Sequence, residues 1–531
     1  MKKVAELSAM PRVRGMTVDF DGDPVLLVRD GSAIRAYAAK CPHAGAPLDQ
    51  GAVCNDRIVC PWHKAEFRVS DGALVEPPAL EGLRAYPVTV DGDDVLLGPA
   101  NGCNTGHAIG DLDRHIFIVG AGAAGASAAL ALREFGFSGR ITLAGRETRL
   151  PYDRTSLSKF VLSGDMKPQD VPPLRPDCFY IENKIERIET EVTSLDAKAC
   201  HATCADGRTF DFDAALIATG AIPARPDIPG AALAGVHVLR TGEDAAGILA
   251  DLPGAAHAVI LGASFIGLEA ACGLRARNID VTVVAPEEVP FARQFGSEIG
   301  MAVRALHEEH GVHFRTGMRA VRLEGDAKVR SVILEDGTRL SAEIVLLGLG
   351  VRPATDFITG IACEPDGSLR VDAGMRVTPN IYAAGDIACF PRTGASRRAR
   401  IEHWRVAQQQ GRIAARNLAG GDATYAGVPF FWTYHYGKRF EYLGDAHTWD
   451  EIAADGDIRQ HKFIAFLCDR GSVAAVVACG REYETALLAE RMRQPLTVTA
   501  ALELVQRAKQ QAGPGAVAWN TARDRSLETV S

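Results

Sequence analysis

Residues 41–67 read CPHAGAPLDQGAVCNDRIVCPWHKAEF, and within them Cys41, His43, Cys60 and His63 form a C-x-H-x16-C-x2-H pattern. Two thiolates and two imidazoles are the ligands of a [2Fe-2S] cluster in which Cys holds one iron and His the other. Each pair lies on a short loop whose Pro42, Gly45, Pro47 and Pro61 restrict or permit tight turns, so the loops can be brought face to face. The same four ligands suit a tetrahedral zinc ion. Against zinc stands the mixed Cys-x-His loop, in place of two Cys-x-x-Cys knuckles. A cluster of this type moves single electrons, which points to redox work.

The wider run resembles a Rieske ferredoxin, in both loops and in the framework residues Leu48, Gly51 and Phe67, over about the first hundred residues. That resemblance implies a [2Fe-2S] cluster held by Cys41, His43, Cys60 and His63. The flanks fit an all-β module, because Val25–Val28 and Val88–Val90 each lead through an Asp-Gly turn into a second apolar run. Gly45 and Lys64 stand where the high-potential Rieske type carries an extra disulfide-forming Cys and a hydroxyl-rich loop. Fewer hydrogen bonds to the sulfurs then place the potential near the low end of the Rieske range, about −150 mV. Cys54 reads as a small buried residue.

With 531 residues the chain has length for several packed domains. Its net charge of −8 gives no electrostatic footprint for nucleic acid. Twelve scattered Cys do not read as a secreted disulfide framework, and the start MKKVAELSAM has no apolar signal core, so a cytoplasmic location is expected. Ile116–Leu132 carries no charge, yet Gly120, Gly122 and Gly125 inside it mark a strand-to-helix turn. A nucleotide-binding βα unit explains that run better than a membrane span.

The strand 115–119 is followed by Gly120-x-Gly122-x-x-Gly125, in which the first glycine permits a tight turn, the second close approach to a pyrophosphate and the third helix-on-strand packing. About twenty residues on, Glu147 is placed to accept hydrogen bonds from a ribose. A second copy runs from the strand 258–261 through Gly262, Ser264 and Gly267 into a helix containing Glu269. Two such folds mean two dinucleotides. Ser264 replaces the middle glycine and weakens the motif slightly. Ala285 ends the next strand where an acidic ribose ligand is usual; Glu287 nearby, with no basic cluster beside it, favours NADH over NADPH.

Ile217–Ala221, Leu347–Pro353 and Thr378–Asp386 resemble the FAD-binding segments of two-dinucleotide flavoprotein reductases. With Pro151–Arg154, Leu157–Lys159, the run ending at Glu269, Glu402–Trp404 and Phe430–Thr433, they are most similar to oxygenase-type ferredoxin reductases and to the apoptosis-inducing-factor-like branch with an N-terminal Rieske domain. A disulfide reductase of the same superfamily would need a reactive Cys pair near Lys159, and the sequence has none there. By this resemblance FAD takes its pyrophosphate at Gly120–Gly125, its adenosine ribose at Glu147, and ribityl and phosphate contacts from Arg154 and Asp386. Lys159, paired with Glu269, stands near the flavin N5 and assists hydride arrival. Trp404 and Trp432 wall the flavin. His435 receives no role.

The expected fold is multidomain: an all-β Rieske domain, then an α/β two-dinucleotide-binding (FAD and NAD) reductase fold with an α+β C-terminal domain. Its parts are residues 1–100 for the Rieske domain, 101–113 for a linker, 114–236 and 354–421 for the FAD domain, 237–353 for the NAD(P) domain and 425–531 for the C-terminal domain. In some members of this class the last domain pairs subunits, so a homodimer is one expected assembly. Gly471-Ser472 reads as a hairpin turn between two C-terminal strands. The Gly-rich linker, treated as coil, spans on the order of 18 Å, which keeps the Rieske module near the flavin; its lone His107 is read as solvated.

A nicotinamide delivers two electrons and a cluster accepts one at a time, a mismatch that FAD resolves. The expected activity is an NAD(P)H-dependent flavoprotein reductase that passes electrons through FAD to its own cluster and on, by an exposed His edge, to an external acceptor such as a redox protein. Two alternatives stand: a cluster that senses rather than conducts, and a redox-responsive binding protein of the apoptosis-inducing-factor type.

Overall fold

The structure, a computed structural model, describes residues 1–11, 13–100, 113–392 and 397–511. Linker residues 101–112, His107 among them, and the tail beyond 511 lie outside the described residues.

The N-terminal hundred residues fold as three small antiparallel sheets. Asp23–Asp30 pairs with Ala33–Ala38 across Gly31, and Val88–Asp91 with Asp94–Leu97 across Gly92, each glycine at positive φ, as the Asp-Gly turns require. A third sheet, Ala52–Cys54, Arg57–Val59, Glu66–Arg68 and Leu74–Glu76, carries the two Cys/His loops at one end.

Next comes a six-stranded sheet ordered Ile185–Glu189, Arg140–Gly145, His115–Val119, Ala214–Ile217, Ile381–Ala383 and Arg376–Thr378. All its pairings are parallel except the last. Its fifth strand comes from residues that follow a complete second sheet in the chain. That second sheet is parallel, in the order Val236–His237, Ile344–Leu347, His257–Leu261, Asp280–Ala285 and Val312–Thr316. Near-continuous apolar strands such as Ile116–Val119 and Ile344–Leu347 are buried, as strands covered on both faces must be. Helix Ala123–Glu134 packs on helix Trp404–Leu418 so closely that a side chain at Gly411 would meet the Ala124 carbonyl.

The C-terminal unit is a five-stranded antiparallel sheet of Phe430–His435, Lys438–Gly444, Ser472–Cys479, Lys462–Asp469 and Glu451–Asp457, backed by helices Glu482–Arg491 and Val498–Gln511. Its last hairpin turns one residue earlier than the sequence suggests. Asp469 pairs with Ser472, so Arg470 and Gly471, both at positive φ, form the two-residue loop. Among the described residues no helix is long and apolar enough to cross a membrane.

The Rieske-like module is docked against the rest of the chain through buried polar contacts, which corrects the picture of a module held near by its tether alone. Arg405, at the start of the 404–418 helix, donates to the carbonyls of Pro77 at 2.8 Å and Lys64 at 2.8 Å and to Glu66 at 3.3 Å. Arg493 reaches Glu66 at 2.8 Å and Glu76 at 3.2 Å, and Gln409 donates to Glu76 at 2.7 Å. Ala52 and Val59 pack against Tyr483, Ala486 and Ala508 of the C-terminal helices.

Candidate functional site

The two ligand loops share one hydrogen-bonded frame. Cys41 N–H donates to Ala46 O and Gly45 N–H to Cys41 O; in the second loop Cys60 N–H donates to Ala65 O and Lys64 N–H to Cys60 O. The matching residues Gly45 and Lys64 both have positive φ. Glycine adopts it freely, whereas for lysine it costs roughly 1–2 kcal/mol. Lys64 is retained because its side chain, 0% exposed, is a tie: its Nζ donates to Glu441 at 3.0 Å and to the Pro61 carbonyl.

Between the loops the donor atoms converge. His43 Nδ1 and His63 Nδ1 lie 3.0 Å apart, the separation of two imidazoles that share one metal through bonds of about 2.1 Å. The buried Cys41 and Cys60 thiols hydrogen-bond each other. Burial pushes both thiols up. For Cys60 the partner sulfur and the N–H groups of His63 and Trp62 outweigh burial and bring it down to about 6, while Cys41 stays well above the usual thiol range. Two sulfurs on one side and two Nδ1 atoms on the other fit a cluster with Cys₂ and His₂ irons.

The His edge was expected to face solvent; the structure leaves the His43 side chain 20% exposed and buries His63. His63 is 8% exposed, and its ring centroid lies 5.2 Å from that of Trp432. His43 Nε2 is 3.9 Å from Asp153 Oδ2, an electrostatic contact longer than a hydrogen bond. Burial raises Asp153, but the His43 imidazole and the Thr155 N–H outweigh it and hold the carboxyl below its usual range. The carboxylate favours a proton on Nε2, which leaves Nδ1 free for iron. Both imidazoles line a cavity of about 920 Å³ whose walls also include Gly120, Gly122, Glu147, Lys159, Asp386 and Trp404.

That cavity has the shape a dinucleotide needs. Gly120 has φ +108°, and a side chain there would strike the Ala218 carbonyl; one at Gly125 would lie 1.8 Å from Gly120 O. Gly122, which caps the 123–134 helix, has open space within 4 Å, so a pyrophosphate can approach the helix N-terminus. Glu147 accepts from Tyr152 at 2.7 Å and Arg154 at 2.5 Å. Arg154 therefore stands with Glu147, while Asp386 pairs with Arg240 at 2.8 Å. Arg240 is a site residue that the sequence motifs did not reveal, and Tyr152, inside the Pro151–Arg154 motif, received no role of its own from the sequence.

Lys159 lies on a π-helical turn, Leu157–Val161, and its Nζ is 3.0 Å from Glu269 Oε1. Glu269 is buried and also accepts from the Ser158 hydroxyl, from Thr433 Oγ1 at 2.7 Å and from Tyr434 N–H at 3.3 Å. Four donors converge on its two oxygens and fix the orientation of the carboxyl group. Trp432 sits 4.7 Å below the Lys159 ammonium, so one indole touches both a cluster ligand and the lysine.

In the second glycine motif Gly262 repeats the positive φ and Gly267 the close approach. Ser264 has a constructive part: its hydroxyl accepts the Gly267 N–H at 3.2 Å and caps the 265–276 helix. Ala285 ends its strand and Glu287 lies outside the main cavity, 4.0 Å from Arg293.

His403 lines the cavity beside Phe431, with ring centroids 4.3 Å apart. Burial lowers its pKa to about 4, against a partial upward pull from Asp386 and Asp445. An unfolded imidazole protonates near 6.5. On acidification the unfolded chain therefore takes the proton first, and the stability present above pH 6.5 is lost as pH falls from about 6.5 to about 4. Melting temperature should drop across that window, and His403→Gln should flatten the drop; an unchanged slope would remove His403 as its source.

Comparison with known proteins agrees with this geometry. The Rieske [2Fe-2S] domain family matches residues 1–87, and the pyridine nucleotide-disulphide oxidoreductase family matches residues 114–411. The chain belongs to the pyridine nucleotide-disulphide oxidoreductase family and carries a Rieske domain at its N-terminal end. It is an NAD(P)H-dependent flavoprotein oxidoreductase whose cofactors are FAD and a [2Fe-2S] cluster. Apoptosis-inducing factor 3 of Mus musculus is 34% identical over 481 residues, which cover 87% of this chain and 78% of that protein. The ferredoxin--NAD(+) reductase component of the biphenyl dioxygenase system of Paraburkholderia xenovorans is 35% identical over 356 residues, 66% of this chain and 86% of that one. The crystal structure of a ferredoxin reductase from Rhodopseudomonas palustris superposes with a TM-score of 0.70 at 28% identity, covering 76% of this chain and all of that one.

Proposed function

We propose that this chain oxidises NADH and passes the electrons through its flavin to its own Rieske cluster, which delivers them singly to an external redox protein. The observation that carries this reading is the inward His edge: His43 and His63 form part of the wall of the cavity that holds Gly122 and Lys159. Bound FAD would supply the conversion of a two-electron donor into single electrons. The protein's own part is to hold the centres close and to place Lys159 Nζ against Glu269. Trp432 lies between the cluster ligand His63 and that lysine.

With the His edge turned inward, the external partner would meet the exposed rim of the first loop at Pro42 and Gly45. NADH is taken as the coenzyme because Glu287, which follows the strand ending at Ala285, opposes a 2′-phosphate. The domain boundaries at 100, 113, 236, 353 and 421, a cytoplasmic setting and a potential near −150 mV belong to the same reading. Anaerobic mixing with NADH tests it: the flavin absorbance and the cluster's visible and paramagnetic signals should change together. Reduced flavin beside a persistently oxidised cluster would defeat the internal route.

A further inference from the structure

Cys272, His307 and His435 meet outside the cavity described above, each from a different element. Cys272 belongs to helix Phe265–Ala276, His307 to helix Ser297–Glu309 and His435 to the C-terminal strand Phe430–His435. Cys272 Sγ lies 3.9 Å from His307 Nε2 and 3.8 Å from His435 Nδ1, and those two nitrogens are 3.1 Å apart. The point equidistant from the three atoms is about 2.1 Å from each. Zinc bonds to imidazole are about 2.0–2.1 Å and to thiolate about 2.3 Å, so an ion fits there with little movement.

The hydrogen bonding around His435 prepares it as a ligand. Thr433 Oγ1 has one proton and donates it to Glu269 Oε1 at 2.7 Å. The same oxygen lies 2.9 Å from His435 Nε2 and must therefore accept from it. His435 Nδ1 then presents a bare lone pair toward Cys272 and His307. An outer acceptor that fixes the tautomer is the usual support of a metal-binding histidine. The surroundings are apolar, with the rings of Phe291 and Phe440 against His435 and of Phe314 against His307. The Tyr436 hydroxyl is buried against the Cys272 sulfur, with which it hydrogen-bonds. His307 and His435 are fully buried, whereas Cys272 is partly exposed and gives an ion a way in.

We propose that Cys272, His307 and His435 form a zinc site with an open fourth position facing Tyr436. Zinc there clamps the two coenzyme-fold helices to the C-terminal sheet. Through His435 and Thr433 it also fixes the orientation of Glu269, the partner of Lys159. Three protein ligands and one open position is a known zinc arrangement.

The experiment uses the full chain with flavin and cluster bound. Metal analysis should find one zinc per chain beyond the cluster iron. Replacement by Co²⁺ should give a thiolate-to-cobalt charge-transfer band that Cys272→Ser abolishes with flavin and iron content unchanged. Should that variant fail to fold, alkylation of Cys272 in the unaltered chain provides the second measurement, since Co²⁺ should slow it at least tenfold. Loaded protein that takes up neither zinc nor Co²⁺ would overturn the site and leave a plain His307–His435 hydrogen bond. A band that survives Cys272→Ser, or alkylation indifferent to the ion, would overturn it equally.

Discussion

Cys41→Ser and His63→Ala should keep NADH-dependent flavin reduction near its normal rate while losing the cluster's spectrum and, with it, reduction of a protein acceptor by at least ~100-fold, about 2.7 kcal/mol in barrier. Neither residue touches Lys159 or Glu269, whose ion pair at 3.0 Å is supported by Ser158, Thr433 and Tyr434. The ion pair that serves the reductive half therefore keeps its own supports in both variants, and Trp432, on which His63 packs, keeps its contact with Lys159. The oxidative half loses its own, because Cys41, His43, Cys60 and His63 are the ligands the cluster needs. Small dyes that reach the cavity directly separate a conducting cluster from a sensing one. A conducting cluster predicts dye reduction within about twofold of normal in both variants; a sensor that gates the flavin predicts that dye reduction collapses as well. Protein-acceptor reduction that survives loss of the cluster would show that electrons leave from the flavin.

Which parts of this arrangement could be seen in the chain before folding follows from how far apart the cooperating residues lie. The ligand loops are local patterns, and each glycine fingerprint states its own backbone demand within six residues, so the cofactors and the fold class were legible. The hairpins at Gly31 and Gly92 were equally local. Orientation was not. Nothing within residues 1–100 says that the His edge turns inward, because Trp432 and Asp153, which meet it, come from other units. Lys64 reads only as a departure from the hydroxyl-rich loop of the high-potential type until Glu441, 377 residues away, is brought to it. Ser264 reads as a flaw in a glycine motif until its capping bond is seen. Cys272, His307 and His435 have no spacing signature at all, since two helices and a distant strand must pack before they meet.

Arg405→Ala should cut the rate at which NADH-derived electrons reach the cluster by roughly 100-fold, with flavin reduction and the cluster spectrum unaffected. Arg405 is buried and holds three points of the Rieske module at once: the Lys64 carbonyl on the second ligand loop, the Pro77 carbonyl and the Glu66 carboxylate. Removal takes a donor from the Lys64, Pro77 and Val428 carbonyls and leaves Glu66 with Arg493 at 2.8 Å and Arg57 at 4.0 Å. Breaking a buried pair on one side costs about 3–5 kcal/mol, and the surviving Arg493 contact argues for the lower figure. About 3 kcal/mol is roughly two decades in the docked-to-undocked ratio. An undocked module finds the flavin only through tethered encounters, so the transfer becomes gated by re-docking. Arg405→Lys should fall between, because an ammonium keeps the charge but cannot span a fork to three acceptors. Salt offers an independent reading: the buried network is poorly screened, so ionic strength should change transfer little in the unaltered chain and more in Arg405→Lys. Transfer at full speed in Arg405→Ala, with the module shown by proteolysis to be loosened, would mean that a fixed inward His edge is not what connects the two centres.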